Sequence, residues 1–151
     1  MIEVREIGKP KKWLIEAAES IGLDFTGLTH EITNEFINHS MKRHGDPKVH
    51  GAAAITEADF ENIPGIVKSP DHAIIGAIRK ENLINAYAKI DNGKTYFYIE
   101  KVLISRKNNS LRGKTFYKVT RPLTFNEVLR NISSNGKTDI TMARILTLIR
   151  S

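Results

Sequence analysis

An α+β fold, with N-terminal helices packed on a small antiparallel β-sheet and helices again at the C-terminus, is predicted by three observations. Apolar residues recur at three- and four-residue spacing through the first third of the chain, as in a helix with one buried stripe. From residue 72 the period changes to two, the pleat of a strand. Asp91-Asn92-Gly93 then joins two β-rich runs, as a tight hairpin turn does. Helices, then a meander, then helices is the order of an α+β protein rather than a parallel doubly wound one. The 151 residues, 40% hydrophobic and 26% charged, suffice for one domain with its own core. Within it, residues 1–28 read as a candidate helical appendage, 29–122 as the main unit and 123–151 as C-terminal helices.

Residues 1–8 form a loose or strand-like lead-in. Pro10 opens a first helix, whose stripe is Trp13, Leu14, Ala17, Ala18 and Ile21, and Gly22 stops it. Thr29 is the expected N-cap of a second helix over residues 30–43, with Ile32, Phe36, Ile37 and Met41 inward. Gly45-Asp46-Pro47 ends it, which leaves His44 at a helix C-terminus, where the dipole favours an imidazolium. Thr56-Glu57-Ala58-Asp59 reads as a capping box with Asp in place of Glu, followed by a short helix to residue 62. Pro64-Gly65 and Ser69-Pro70-Asp71 are expected turns.

Strands are expected over residues 72–79, 82–90, 95–105 and 112–120. In the second, Ile84, Ala86, Ala88 and Ile90 face one way and Leu83, Asn85, Tyr87 and Lys89 the other; in the last, Thr115, Tyr117 and Val119 oppose Lys114, Phe116 and Lys118. Thr124 caps a helix to residue 130. Asn135-Gly136 separates it from a final helix over 138–150, with Ile140, Ala143, Leu146 and Ile149 inward.

Composition removes several function classes. No cysteine is present, so disulfides, zinc–thiolate sites and a cysteine nucleophile are excluded. No apolar run reaches the roughly 18 residues of a membrane span, and the charged, Pro10-broken start does not have the pattern of a signal peptide. Neither a G-x-x-x-x-G-K-[ST] nor a G-x-G-x-x-G phosphate loop occurs, nor H-E-x-x-H, nor a G-x-S-x-G nucleophile elbow. No cofactor is expected.

Two features point the other way. The net charge is +6, and between residues 101 and 126 there is no acid, while Lys101, Arg106, Lys107, Arg112, Lys114, Lys118 and Arg121 are all present. Such a block suits a phosphate backbone; the competing reading is a solvated sheet edge. Residues 38–50, N-H-S-M-K-R-H-G-D-P-K-V-H, hold three of the five histidines, His39, His44 and His50. Imidazoles titrate nearest neutrality, and among fixed cations they suit proton transfer beside an anion. Their spacings of five and six are poor for two metal ligands on one helical face, so no metal is expected. Imidazole, lysine, arginine, threonine and tyrosine together suit RNA cleavage, in which the ribose 2′-OH is the nucleophile and the protein moves protons and stabilises charge.

H-S-M-K-R-H-G at 39–45, I-T-E-A-D-F-E-N-I-P-G-I-V at 55–67, S-P-D at 69–71 and K-T-F-Y-K at 114–118 resemble the phage-associated branch of the barnase–EndoU–colicin E5/D–RelE superfamily of nucleases. The resemblance covers about residues 30–120. It implies a metal-independent endoribonuclease acting by 2′-OH attack, a toxin role as in prophage proteins and contact-dependent inhibition systems, and a cognate immunity protein or antitoxin as partner. RNA is the implied substrate, with tRNA among the targets. Action in the cytoplasm, by a protein delivered from another cell or phage-encoded, follows from the same likeness. By resemblance, His44 is the general acid or base, Lys89 stabilises the phosphorane with Arg79 in reserve, and Thr115 and Tyr117 hold the phosphate or assist proton transfer. His39 orients the substrate or His44, and Arg43, Arg112, Lys114 and Lys118 bind the strand. The acidic general base of barnase-like members has no counterpart here. The alternatives are a non-catalytic nucleic-acid-binding module on the same basic face and a phage structural or interaction protein.

Overall fold

A computed structural model describes residues 2–134 and 137–148. Its strands are β1 (Val4–Gly8), β2 (His30–Thr33), β3 (His72–Arg79), β4 (Asn82–Asp91), β5 (Lys94–Ile104), β6 (Asn109–Val119), β7 (Thr138–Asp139) and β8 (Arg144–Thr147). They form one sheet in the order β1-β2-β6-β5-β4-β3-β7, and β8 also pairs with β3. The helices are α1 (Lys12–Glu19), α2 (Asn34–His44), the single turn α3 (Pro47–His50), α4 (Ile63–Lys68) and α5 (Phe125–Ile132), with a 3-10 helix over Glu57–Asn62.

The two faces of β4 separate as the alternation requires, and both are buried. On one face Tyr87, Tyr98 and Phe116 pack with Leu14, Ala17 and Ala18 of α1, Phe36 of α2, and Ile63, Ile66 and Val67 of α4. On the other, Ile74, Ala86, Ala88, Phe97 and Ile99 meet Leu123, and Val128 and Ile132 of α5. Residues 1–28 contribute to the first core through α1, and the Trp13 indole N–H donates to the Lys68 carbonyl oxygen at 2.9 Å. Among the described residues, no helix is long and apolar enough to cross a membrane.

Several expectations are corrected. The content is mixed α/β, but the sheet has eight strands and is not wholly antiparallel, because β2 runs parallel to β6. Residues 30–33 are a strand, not a first helical turn. His30, Ile32 and Thr33 are buried there, and β-branched residues fit a buried strand. The helix cap moves to Thr33, whose hydroxyl accepts from the Phe36 amide at 3.1 Å. Pro64 and Gly65 lie inside α4, with the proline in its first turn, where its missing N–H costs no bond. In place of the helix expected over 138–150, the described residues 138–148 hold β7 and β8. Ile145 packs with the second core and Leu146 with the first, a period of two, and both strands pair with the otherwise open edge of β3. Asn135, Gly136, Ile149 and Arg150 lie outside the described residues.

Two hairpin turns use the same backbone with different residues. Asn92 and Gly93 have φ of 50° and 74°, the type I′ turn their pair favours. Lys80 and Glu81 have φ of 48° and 67° between partners Arg79 and Asn82. A Cβ in that region costs roughly 1 kcal/mol per residue, so the β3–β4 turn keeps its side chains at some expense in stability.

Lys118 is not a strand-facing cation for a ligand. It is buried on β6, with Nζ 2.8 Å from Asp59 Oδ2. Asp59 in turn completes a reciprocal capping box with Thr56. Burial pushes the Asp59 pKa up, but the Lys118 ammonium and the Thr56 amide outweigh it, and the net shift is downward. A depressed carboxyl stabilises the fold above its unfolded value of about 3.9, and that stability is lost as pH falls through the folded value. Lys118→Met is expected to cost about 3 kcal/mol by stranding Asp59, read as a lower urea midpoint at pH 7. The deficit should shrink at acid pH.

Candidate active site

Residues 34–55 place His44. From Thr33 the helix α2 lies against β6, and its last residue is His44. Gly45 allows the stop: a Cβ there would sit 2.6 Å from the Met41 carbonyl oxygen. Asp46 caps the next turn by accepting from the Lys48 amide at 2.9 Å. The returning chain pins the helix end twice. The Ile55 amide donates to the His44 carbonyl at 2.9 Å, and His50 Nε2–H donates to the Arg43 carbonyl at 2.8 Å.

His44 thus lines a cleft of about 300 Å³ with Arg43 of α2, Arg79 at the end of β3, Thr115 and Tyr117 of β6, Asn131 of α5, and Ser134. The Tyr117 ring is stacked on Phe97 (centroids 4.8 Å, 12° between planes) and lies 5.3 Å from the His44 ring. Its hydroxyl donates to Asn131 Oδ1 at 2.5 Å. Burial, opposed in part by Arg79, pushes the phenol pKa well up. Tyr117 therefore stays protonated and works as a fixed polar wall, not as a base.

The His44 imidazole is shifted down, first by burial and then by His50, Arg43 and His39. This overturns the expected imidazolium at the helix end. A last-turn dipole favours the charged form by about 2 kcal/mol at most, and here partial burial and the fields of His50, Arg43 and His39 act against it. The neutral form is the resting form at neutral pH, and a neutral imidazole can accept a proton.

The residues singled out from sequence divide by where the structure places them. His44, Thr115, Tyr117, Arg43 and Arg79 share the cleft, and His39 is exposed on α2 near enough to bias His44. Lys89 does not line it. It shares the Tyr87 side of β4, and its Nζ donates to the Ser69 carbonyl at 2.7 Å. Arg79 supplies the cation of that side of the cleft instead. Arg112 is ion-paired to Glu31 at 2.8 Å, and Lys118 to Asp59. Lys114 sits at a β-bulge beside the cleft. Asn131 and Ser134 also line the cleft, and the sequence does not single them out. Asn131 falls between the apolar Val128 and Ile132, and nothing in its local pattern separates it from an ordinary half-buried amide.

Among the described residues, no three His, Cys, Asp or Glu side chains converge as a metal site would. The fold and cleft define a small α/β protein with a basic, histidine-bearing recess on one sheet face. Its family is the phage-Barnase-EndoU-ColicinE5/D-RelE like nuclease 3 family, whose sequence model matches residues 8–126, and the chain belongs to it. The activity is that of a nuclease. No curated protein and no solved structure matches the chain.

Proposed function

We propose that this nuclease cuts RNA without a metal ion, by attack of the ribose 2′-OH on the adjacent phosphorus. The observation that carries the reading is a half-buried, neutral-biased imidazole set beside Arg43 and Arg79 in a cleft with no carboxylate among its described lining residues. His44 takes the 2′-OH proton. The O2′–P bond forms as the P–O5′ bond breaks, the leaving 5′-oxygen takes its proton from water, and the imidazolium then sheds its proton to solvent. The products are a 2′,3′-cyclic phosphate and a 5′-hydroxyl. Arg43 and Arg79 hold the phosphate and its developing charge, the Thr115 hydroxyl donates to a non-bridging oxygen, and Tyr117 keeps the His44 ring in place. The reading extends to a toxin acting in the cytoplasm of its target cell, with tRNA among its substrates. An immunity protein or antitoxin that covers the cleft would protect the producer.

A DNA oligonucleotide carrying a single ribose tests the nucleophile. Scission only at the phosphate 3′ to that ribose, with the all-deoxy strand intact, is the expected result. Cutting of the all-deoxy strand would overturn the 2′-OH mechanism.

A further inference from the structure

We propose that Lys80, Lys101 and Lys114, continuing from Arg79, form a second phosphate-binding site beside the cleft. It engages the backbone flanking the scissile phosphate, so the preferred substrate is a strand of several nucleotides rather than a dinucleotide. The inference takes its chemistry from the ribonuclease reading, but the site itself stands on separate geometry.

Lys101 on β5 has Ile84 and Arg112 as cross-strand partners. Cross-strand partners point the same way, and Ile84 belongs to the core under α5, so Lys101 emerges on the cleft's side of the sheet. Lys114 is the extra residue of the bulge: Thr115 pairs with Ile99 and Gly113 with Glu100, leaving Lys114 between. Strict alternation would turn it away from Thr115. A bulge re-aims such a side chain, and the Lys114 ammonium is pushed down first by burial and then by the fields of Lys101, Arg79 and Lys80, which therefore lie close to it. Lys80 follows Arg79 directly, in the left-handed turn that would accept Asn-Gly more readily.

The charge balance separates these cations from their neighbours. Arg112, Lys118 and Arg121 are matched by Glu31, Asp59 and Glu127. Arg79, Lys80, Lys101 and Lys114 have no ion pair and no side-chain hydrogen bond among the described residues. Asp139, on β7 opposite Ile78, accepts from the Thr141 amide. Clustered like charges left unmatched oppose folding and attract polyanions.

The test compares wild type with Lys101→Ala/Lys114→Ala and with Lys80→Asn, on a dinucleoside phosphate and on a twelve-nucleotide RNA. The expected loss falls on KM of the longer RNA, roughly fivefold per lysine, with a smaller effect on the dinucleoside phosphate. The slope of log(kcat/KM) on log salt should flatten by about 0.7 per lysine. Lys80→Asn should also raise the unfolding temperature, because asparagine suits the turn; a purely structural lysine would not give higher stability with weaker RNA engagement. Binding of a fully 2′-O-methylated strand, followed by fluorescence anisotropy, separates the two claims. RNA cleavage with length dependence, salt slope and anisotropy unaltered by the variants overturns the second site. Lysine-dependent anisotropy with no cleavage of any RNA keeps the site and overturns the ribonuclease reading.

Discussion

His44→Ala is expected to lower kcat on RNA by about 10²–10⁴-fold, the usual worth of a positioned general base, while KM changes little. Among the described residues lining the cleft, no other group can replace it at neutral pH. Tyr117 is held protonated by burial, Arg43 and Arg79 are permanently charged, and no carboxylate is among the described residues that line the cleft. The pH profile should carry the same signature. Burial, His50, Arg43 and His39 depress the imidazole, so kcat/KM rises through an apparent pKa below the ordinary histidine value of about 6.5. Activity falls only as pH drops through that depressed value. A rising limb centred above 6.5, or a His44→Ala variant within threefold of wild type, would remove His44 from the role of base.

The largest effect on stability is expected far from the cleft, at Glu100. Its carboxylate is buried in the first core and accepts from three side chains: His30 Nδ1–H at 2.7 Å, the Tyr87 hydroxyl at 2.5 Å and the Asn85 amide at 3.0 Å. The amide's oxygen accepts in turn from the Gly76 backbone N–H at 3.1 Å. One carboxylate thus ties β2, β3, β4 and β5 together. Glu100→Ala strands these donors and opens a cavity, and removing one member of a buried polar network costs about 3–5 kcal/mol. Glu100→Gln keeps the shape and part of the bonding and should cost less. Equilibrium urea unfolding measures both. A Glu100→Ala loss below about 1 kcal/mol would mean that the network contributes little to holding the strands together.

The strands were legible because each has local signals strong enough to survive context. Asn92-Gly93 fixes one hairpin, and the alternation from Ile84 to Lys89 assigns the two faces. Thr56 and Asp59 announce their capping box. The misread segments are those whose structure is set by distant partners. Residues 30–33 look helical by spacing, but β6 and β1 offer them pairing on both sides. Residues 138–147 show a helical stripe, but the open edge of β3 takes 138–139 and 144–147 as strands.

The candidate site is legible in its parts more than in its assembly. His44, Thr115, Tyr117 and Arg79 converge although 71 and 73 positions separate His44 from Thr115 and Tyr117. Lys89 and Lys118 have the same residue type as Lys101 and Lys114; alternation assigns faces to Lys89 and Lys118 but does not reveal that Ser69 and Asp59 hold them away from the cleft. Periodicity could not foresee the bulge at Lys114, because a bulge is one residue out of period. Acidic partners for Arg112 and Lys118 were equally hidden, since Glu31 and Asp59 lie 81 and 59 positions away.

The most direct test of the central claim is incubation of purified protein with total RNA in excess EDTA, beside the folded His44→Ala variant, followed by end-group analysis of the fragments. The account predicts discrete fragments with 2′,3′-cyclic phosphate and 5′-hydroxyl ends from the wild type and intact RNA from the variant. Intact RNA from folded wild-type protein, or fragments with 3′-hydroxyl and 5′-phosphate ends, would contradict it.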